Sequence, residues 1–289
     1  MKREIIYGIV WGVIAVHGFA AEDAIFTYQV GDWDVHLLVE YTGQGTSSIL
    51  LGASEEALHR YIPGGTYQAE THTLLIRSPD RIILVDTGFG GKLFDHLKTL
   101  GIDPAQVDAV LLTHMHRDHI GGLQRGGKAL FPRASVYLSQ QEKTYWTETA
   151  GNPVAIAALA PYGSRVRTFL PGPLGTGEEL FPGVRAIAAF GHTPGHTLYQ
   201  VESQGQKLLI WGDLMHVQDI QFPLPAISAS YDTDPQAAGT LRKQVLDYAA
   251  QHTIPIAGMH LRYPAIGRVS PEGAGYRFSP LPGTTRKGL

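Results

Sequence analysis

Three histidines and one aspartate fall within six residues, as Thr113-His114-Met115-His116-Arg117-Asp118-His119, directly behind the apolar run Ala109–Leu112. This set cannot form one helix face, because neighbours on such a face lie three and four residues apart. On a loop leaving a buried strand, His114 and His116 can point one way while Asp118 and His119 point another. Two cations side by side could then share one segment. Imidazole and carboxylate suit zinc, with manganese, iron, cobalt or nickel as alternatives. The chain contains no cysteine, which excludes disulfides and thiolate ligands. A fold around this segment must hold it rigidly and bring it further partners.

The rest of the chain can supply such a frame. Its 289 residues suffice for a substantial core, and 34 glycines with 18 prolines favour many tight turns over long helices. Short apolar runs predict strands at Trp33–Tyr41, Thr71–Ile76, Ile82–Val85, Ala109–Leu112, Ser135–Leu138, Val184–Ala189, Leu198–Glu202, Leu208–Trp211 and Ile254–Ala257. Helices are expected from Lys92 to Leu100, after the Asp103-Pro104 capping signal, over Lys143–Glu148 behind a Ser139/Glu142 capping box, and from Asp234-Pro235 to about His252. The order predicts an α/β or α+β fold. Asp86, His114, His196, Asp213 and His260 all lie at or shortly after predicted strand ends, where loops from one sheet edge can converge.

With these positions in view, the sequence resembles the metallo-β-lactamase superfamily, whose signature is His-x-His-x-Asp-His. Gly191-His192-Thr193-Pro194-Gly195-His196 resembles the loop that supplies a third histidine, taken as His196. Trp211-Gly212-Asp213 is similar to the segment carrying a bridging carboxylate, and Ala257-Gly258-Met259-His260 to the loop with the last histidine. Leu84-Val85-Asp86-Thr87-Gly88 matches the early Asp-Thr-Gly. The resemblance implies an αββα sandwich of two β-sheets flanked by helices. It also implies two divalent metal ions, zinc foremost. His114, His116 and His196 would hold one, and Asp118, His119 and His260 the other, with Asp213 between them and Asp86 orienting a histidine from behind. The implied chemistry is attack by a metal-activated hydroxide on an ester, lactone or phosphotriester, with Asp118 and Asp213 as catalytic carboxylates. His72 and His216 lie near the expected site edge. Phe89, Trp146, Phe222 and Tyr231, with His72, are candidate pocket residues.

The C-terminal third narrows the resemblance. Tyr231-Asp232-Thr233-Asp234, Arg242-Lys243, His260 through Gly267, and Gly273 through Phe278 look like the methyl parathion hydrolase branch, which includes lactonases. A quorum-quenching N-acyl-homoserine lactonase is therefore the first alternative. An iron-dependent oxidoreductase of the sulfur dioxygenase kind is another, and a non-catalytic binding protein a third. No Gly-x-Ser-x-Gly elbow is present, which argues against a serine nucleophile. A net charge of −3 shows no basic bias, so a small molecule rather than nucleic acid is the expected partner. Self-association into a homodimer is an arrangement the sequence leaves open.

Lys2 and Arg3 precede an apolar run from Ile5 to Val16 and then Gly18-Phe19-Ala20, the pattern of a signal peptide cleaved after Ala20. The run is too short for a comfortable membrane span. The expectation is a periplasmic or secreted protein with one domain over residues 21–289.

Overall fold

The computed structural model describes residues 24–287. The expected signal peptide, residues 1–20, lies outside them. Among the described residues two large sheets form. The first has eight strands, in the order Val166–Phe169, Ser135–Ser139, Ala109–Leu111, Ile82–Val85, Thr66–Arg77, Trp33–Thr46, Ala24–Val30 and Thr284–Lys287. The second has seven, in the order Glu178–Phe181, Val184–Ala188, Thr197–Ser203, Gln206–Ile210, Ile256–Ala257, Ile266–Glu272 and Gly275–Pro280.

Strand alternation explains the layering. In the first sheet Val35, Leu37, Leu74, Ile76, Ile83, Val85 and Leu111 join Leu198, Val201, Leu209 and Ile256 of the second in one core. Their sequence neighbours Leu38, Leu75, Leu84 and Val110 point oppositely, onto Leu93 and Leu97 of helix Leu93–Thr99 and Ala155 and Ala158 of helix Pro153–Leu159. Helix Pro235–Gln251 turns Val245, Leu246 and Ala249 onto the second sheet. The result is the expected αββα sandwich. No helix among the described residues is long and apolar enough to cross a membrane.

The parallel strands place the site. Ile82–Val85 pairs parallel with Ala109–Leu111, which pairs parallel with Ser135–Ser139. In the other sheet Gln206–Ile210 pairs parallel with Ile256–Ala257. Parallel neighbours end at one sheet edge, so Asp86, His114, Ser139, Asp213 and His260 emerge together.

Several elements depart from expectation. The hairpin of Trp33–Thr46 and Thr66–Arg77 is longer than predicted and stays paired out to Thr46 with Thr66, which carries Tyr41, Tyr67 and Ala69 toward the site. Helix Gln140–Thr144 begins earlier than expected and passes into a π-helical turn, Tyr145–Thr149. Ser139 caps it through the Glu142 N–H at 3.0 Å, but the Glu142 carboxylate turns inward and leaves the capping box half made. At Asp103 the predicted box is complete.

Candidate metal centre

Asp86 organises the base of the site. Its backbone takes φ 61°, a left-handed conformation that Asp tolerates better than most residues. From there Oδ1 accepts the Thr113 N–H at 2.8 Å, and Oδ2 accepts the Thr113 hydroxyl and the His119 Nδ1–H, both at 2.7 Å. Because the Thr113 proton goes to Asp86, the His114 Nδ1 atom 3.0 Å from Thr113 Oγ1 must be the donor of that pair. His114 and His119 therefore present bare Nε2 atoms forward.

Two further histidines are tied in the same way. His192 donates Nδ1–H to Asp232 Oδ1 at 2.8 Å, and His260 donates Nδ1–H to the Glu70 carbonyl at 2.7 Å. Four buried or half-buried imidazoles thus each commit one nitrogen outward and, in the neutral form that binds a metal, hold the other bare inside.

The bare atoms form two adjoining groups. His114 Nε2, His116 Nδ1 and His192 Nε2 stand 3.0 to 3.2 Å apart, with Asp213 Oδ2 at 3.6 Å from His114 and 3.4 Å from His192. Nitrogens on one tetrahedral zinc lie about 3.3 Å apart, the edge set by bonds near 2.05 Å. Beside this group, His119 Nε2 lies 3.1 Å from Asp213 Oδ1, and His260 Nε2 lies 3.0 Å from Asp213 Oδ2. Asp118 Oδ2 is 3.6 Å from both of those histidines. Asp213 thus touches both groups. Apart from their own 3.1 Å approach, His119 Nε2 and Asp213 Oδ1 are buried without a hydrogen-bond partner among the described residues. Lone pairs converging in a buried space repel unless a cation lies between them, so the donor set fits two divalent ions.

The electrostatics differ between the two groups. Burial lowers His114 well below its ordinary value, His116 to about 4 and His192 to about 3, keeping these rings neutral and able to donate lone pairs. Burial would raise Asp213, yet the field of His119, His260 and His114 carries it well below the ordinary carboxylate range. Burial likewise opposes protonation of His119, but Asp213, Asp118 and Asp86 together raise it well above the usual histidine value, so without a cation this ring favours a second proton on Nε2 toward Asp213, which a bound ion would displace.

One expected ligand is not brought in. His196 accepts the Asp213 N–H on Nε2 at 3.0 Å and faces the Ala189 carbonyl with Nδ1 at 3.1 Å. Both ring nitrogens serve the backbone, and His192 occupies the place expected for His196. Gly212, at φ +55°, lets the chain pass over this ring, since a Cβ there would lie 2.5 Å from His196 Nε2. In a loop with two histidines, only the Asp232 partner of His192 could have separated their roles, and Asp232 is 40 residues away.

Glu142 is a second residue that sequence reading missed in this setting. Its carboxylate is fully buried and accepts four hydrogen bonds, from Met115 N and Trp146 Nε1 on one oxygen and Thr193 Oγ1 and Gly195 N on the other. Its sequence position advertised only a helix cap.

The open side of the two groups is a cavity of about 410 Å³ lined by Tyr41, Tyr67, Phe89, Arg117, His216 and Tyr231, among others. Phe89 and Tyr231 lie on its wall. Trp146 does not line the cavity; it packs edge-on behind His116 at 5.3 Å, held by Glu142. Phe222 is buried between Trp211 and Phe278, and His72 is buried against the Leu261 carbonyl at 2.7 Å, so neither reaches the cavity. His216 does reach it, with Nε2 3.2 Å from Asp213 Oδ2 and no hydrogen bond on either ring nitrogen among the described residues.

The chain belongs to the metallo-beta-lactamase superfamily, whose family profile matches residues 68–253. A ribonuclease of Thermus thermophilus is 30% identical over 180 residues, 58% of this chain and 41% of that protein, so the match spans less than half of this relative's length. Among solved structures, the hydrolase AbOPH of the beta-lactamase superfamily superposes with TM-score 0.82 at 28% identity, covering 89% of this chain and 97% of that one. AidC, a dizinc quorum-quenching lactonase, shares the fold with TM-score 0.79 at 23% identity, over 90% of this chain and 99% of its own.

Proposed function

We propose that this protein is a dinuclear metal-dependent hydrolase of small uncharged esters, with lactones the preferred class and phosphotriesters a secondary one. The carrying observation is the shared carboxylate: Asp213 lies within 3.0 to 3.6 Å of bare nitrogens from both histidine groups, directly beneath an aromatic-rimmed cavity. His114, His116 and His192 would hold the first ion, Asp118, His119 and His260 the second, with Asp213 between. When bound, such ions act as Lewis acids on the substrate oxygen and lower the pKa of a water toward neutrality.

The chain's own residues supply the rest. Asp118 is half-buried, faces His119 and His260, and is held below its ordinary pKa by them against the upward push of burial. It is placed to accept the nucleophile's proton and return it to the leaving oxygen. The rim aromatics Tyr41, Phe89 and Tyr231 are 44%, 45% and 52% exposed, surface suited to an apolar acyl or aryl group rather than a charged chain. Arg117 is the one arginine on the lining among the described residues, and the net charge of −3 shows no basic bias, which favours a small molecule over a polynucleotide. The lactonase activity of the fold neighbour AidC supports the same choice. Export through the N-terminal segment, giving a periplasmic or secreted enzyme, completes the reading.

The test is a purified, zinc-loaded protein assayed against acyl-homoserine lactones, an aryl ester, a dimethyl aryl phosphotriester, an acyl-glutathione thioester and RNA. Lactone and ester turnover that disappears with a chelator and with Asp213→Ala is expected. Turnover confined to RNA or the thioester, or turnover that survives Asp213→Ala, would refute it.

A further inference from the structure

We infer that Glu142 is a positioning residue that sets the geometry of the whole three-histidine group, clamping together the two loops that supply it. The inference rests on the reading that His114, His116 and His192 hold a cation. Those histidines come from opposite sheets. His114 and His116 follow the strand Ala109–Leu111, while His192 follows Val184–Ala188. Nothing in either loop alone fixes the 3.0 to 3.2 Å spacing between His192 Nε2 and the other two rings.

The Glu142 carboxylate joins them. Oε1 accepts the N–H of Met115, the residue between His114 and His116, at 2.8 Å, and the indole N–H of Trp146 at 2.6 Å. Trp146 in turn packs edge-on against the His116 ring. Oε2 accepts the hydroxyl of Thr193, the residue after His192, at 2.7 Å, and the N–H of Gly195 at 2.9 Å. Each histidine is thus one residue or one ring contact from the same buried carboxylate. All four partners are donors, which matches a carboxylate and no isosteric amide.

The glycine of this loop fits the same role. Ser139 Oγ donates to the Gly195 carbonyl at 2.8 Å while Glu142 accepts its N–H, so both ends of one residue are gripped by the start of one helix. A Cβ at Gly195 would lie 2.2 Å from Glu142 N and 2.4 Å from Ser139 Oγ. The close approach that admits the clamp therefore requires glycine.

Glu142 touches neither ion nor substrate, so its effect is predicted on one metal site only. Glu142→Gln turns one acceptor into a donor facing a donor, loosening one loop against the other. The experiment is a competitive chelator titration of wild type and Glu142→Gln with zinc, paralleled by visible spectra of the cobalt(II) forms. Expected is a first site weakened by about 10–100-fold with the second site retained, and an altered spectrum for the first cobalt bound there. Thr193→Val and Trp146→Phe each remove one donor and keep the packing. They are expected to weaken the same site several-fold, and they stand in should Glu142→Gln not fold. Two unchanged affinities in every folded variant, or equal weakening of both sites, would overturn the inference alone. A wild type without two tight sites would overturn the metal-site reading and the inference together.

Discussion

His114 Nε2 and His192 Nε2 face one another at 3.2 Å, and neither atom carries a proton, because each ring spends its N–H on the opposite side. Two lone pairs in that position are stable only around a cation. The relationship distinguishes the two histidines of the Gly191–His196 loop. His192→Ala is expected to lose one of two zinc ions per chain and at least about a hundredfold in activity. His196→Ala is expected to retain two weakly altered sites but lose stability, since it strands the Asp213 N–H and the Ala189 carbonyl at about 1–3 kcal/mol each. Metal content by mass spectrometry and urea unfolding separate the two. Loss of zinc from His196→Ala with full occupancy in His192→Ala would reverse the assignment.

His196 also predicts a pH dependence. Burial holds its pKa at about 4, against an ordinary 6.5, so the folded protein keeps the ring neutral where the unfolded chain protonates it. Between those values the unfolded state binds more protons, so stability is full above pH 6.5 and falls with acidification toward pH 4. For metal-free protein the term amounts to about 2 kcal/mol between pH 7 and pH 5. His119 and His260, whose pKa values are raised, act in the opposite sense at higher pH. The comparison is therefore with His196→Gln, which lacks only this ring. The chelated wild type should lose about 2 kcal/mol more than the variant across that range, measured by urea unfolding. Parallel pH profiles would show that the ring does not titrate as its burial requires.

Local signals carried much of this structure. Ile82–Val85 falls where its apolar run predicts, Asp103 forms the full capping box, and Asp234-Pro235 opens the long helix. The His114–His119 segment pointed to a candidate metal centre because so many donors in so few residues have no cheaper explanation. What stayed hidden depends on distant partners. His192 and His196 differ only in whether Asp232 or the 189 and 213 backbone lies behind the ring. Glu142 looked like a cap because its four donors come from three other loops and turns. Trp146 and Phe222 read as pocket aromatics, yet a large ring near a site packs behind it as readily as in front. Helix Pro153–Leu159 was legible and unread, since Asn152 caps it through Val154 and Ala155 N–H ahead of a proline.

Asp86 gives the matching test for the second group. It accepts three hydrogen bonds, and the one from His119 Nδ1–H fixes that ring's tautomer. Asp86→Asn keeps the size and tolerates the positive φ, but its amide presents a donor to at least one of those donors. Zinc affinity at the second site should fall by about 10–100-fold, with the first site less affected. Asp86→Glu should not rescue it, since the longer arm displaces the carboxylate from Thr113. Chelator titration reads both. An Asp86→Asn protein with wild-type affinity at both sites would remove Asp86 from the positioning role.

His216 borders the cavity beside both histidine groups, near enough to Asp213 and His260 to share a metal-ligand cluster with them. Its ring stacks on His260 at 5.1 Å and 16°, sits 5.6 Å from Tyr231, and borders the cavity, while Gln221 Oε1 pins its backbone by accepting the His216 and Val217 N–H groups. Neither ring nitrogen makes a hydrogen bond among the described residues, and apart from the 3.2 Å approach of Nε2 to Asp213 the buried ring is costly to keep unless something in the cavity bonds to it. The expected partner is the substrate oxygen that gains charge as the tetrahedral centre forms. His216→Phe keeps the ring stack on His260 and removes both nitrogens. It should retain two zinc ions per chain and lower kcat/KM by about 100-fold, with kcat falling more than KM rises. His216→Gln should recover part of the loss, because an amide N–H can reach the same oxygen. A fall in zinc content in His216→Phe would instead make this histidine a ligand through its approach to Asp213, and unchanged kcat with a raised KM would make it a binding contact only.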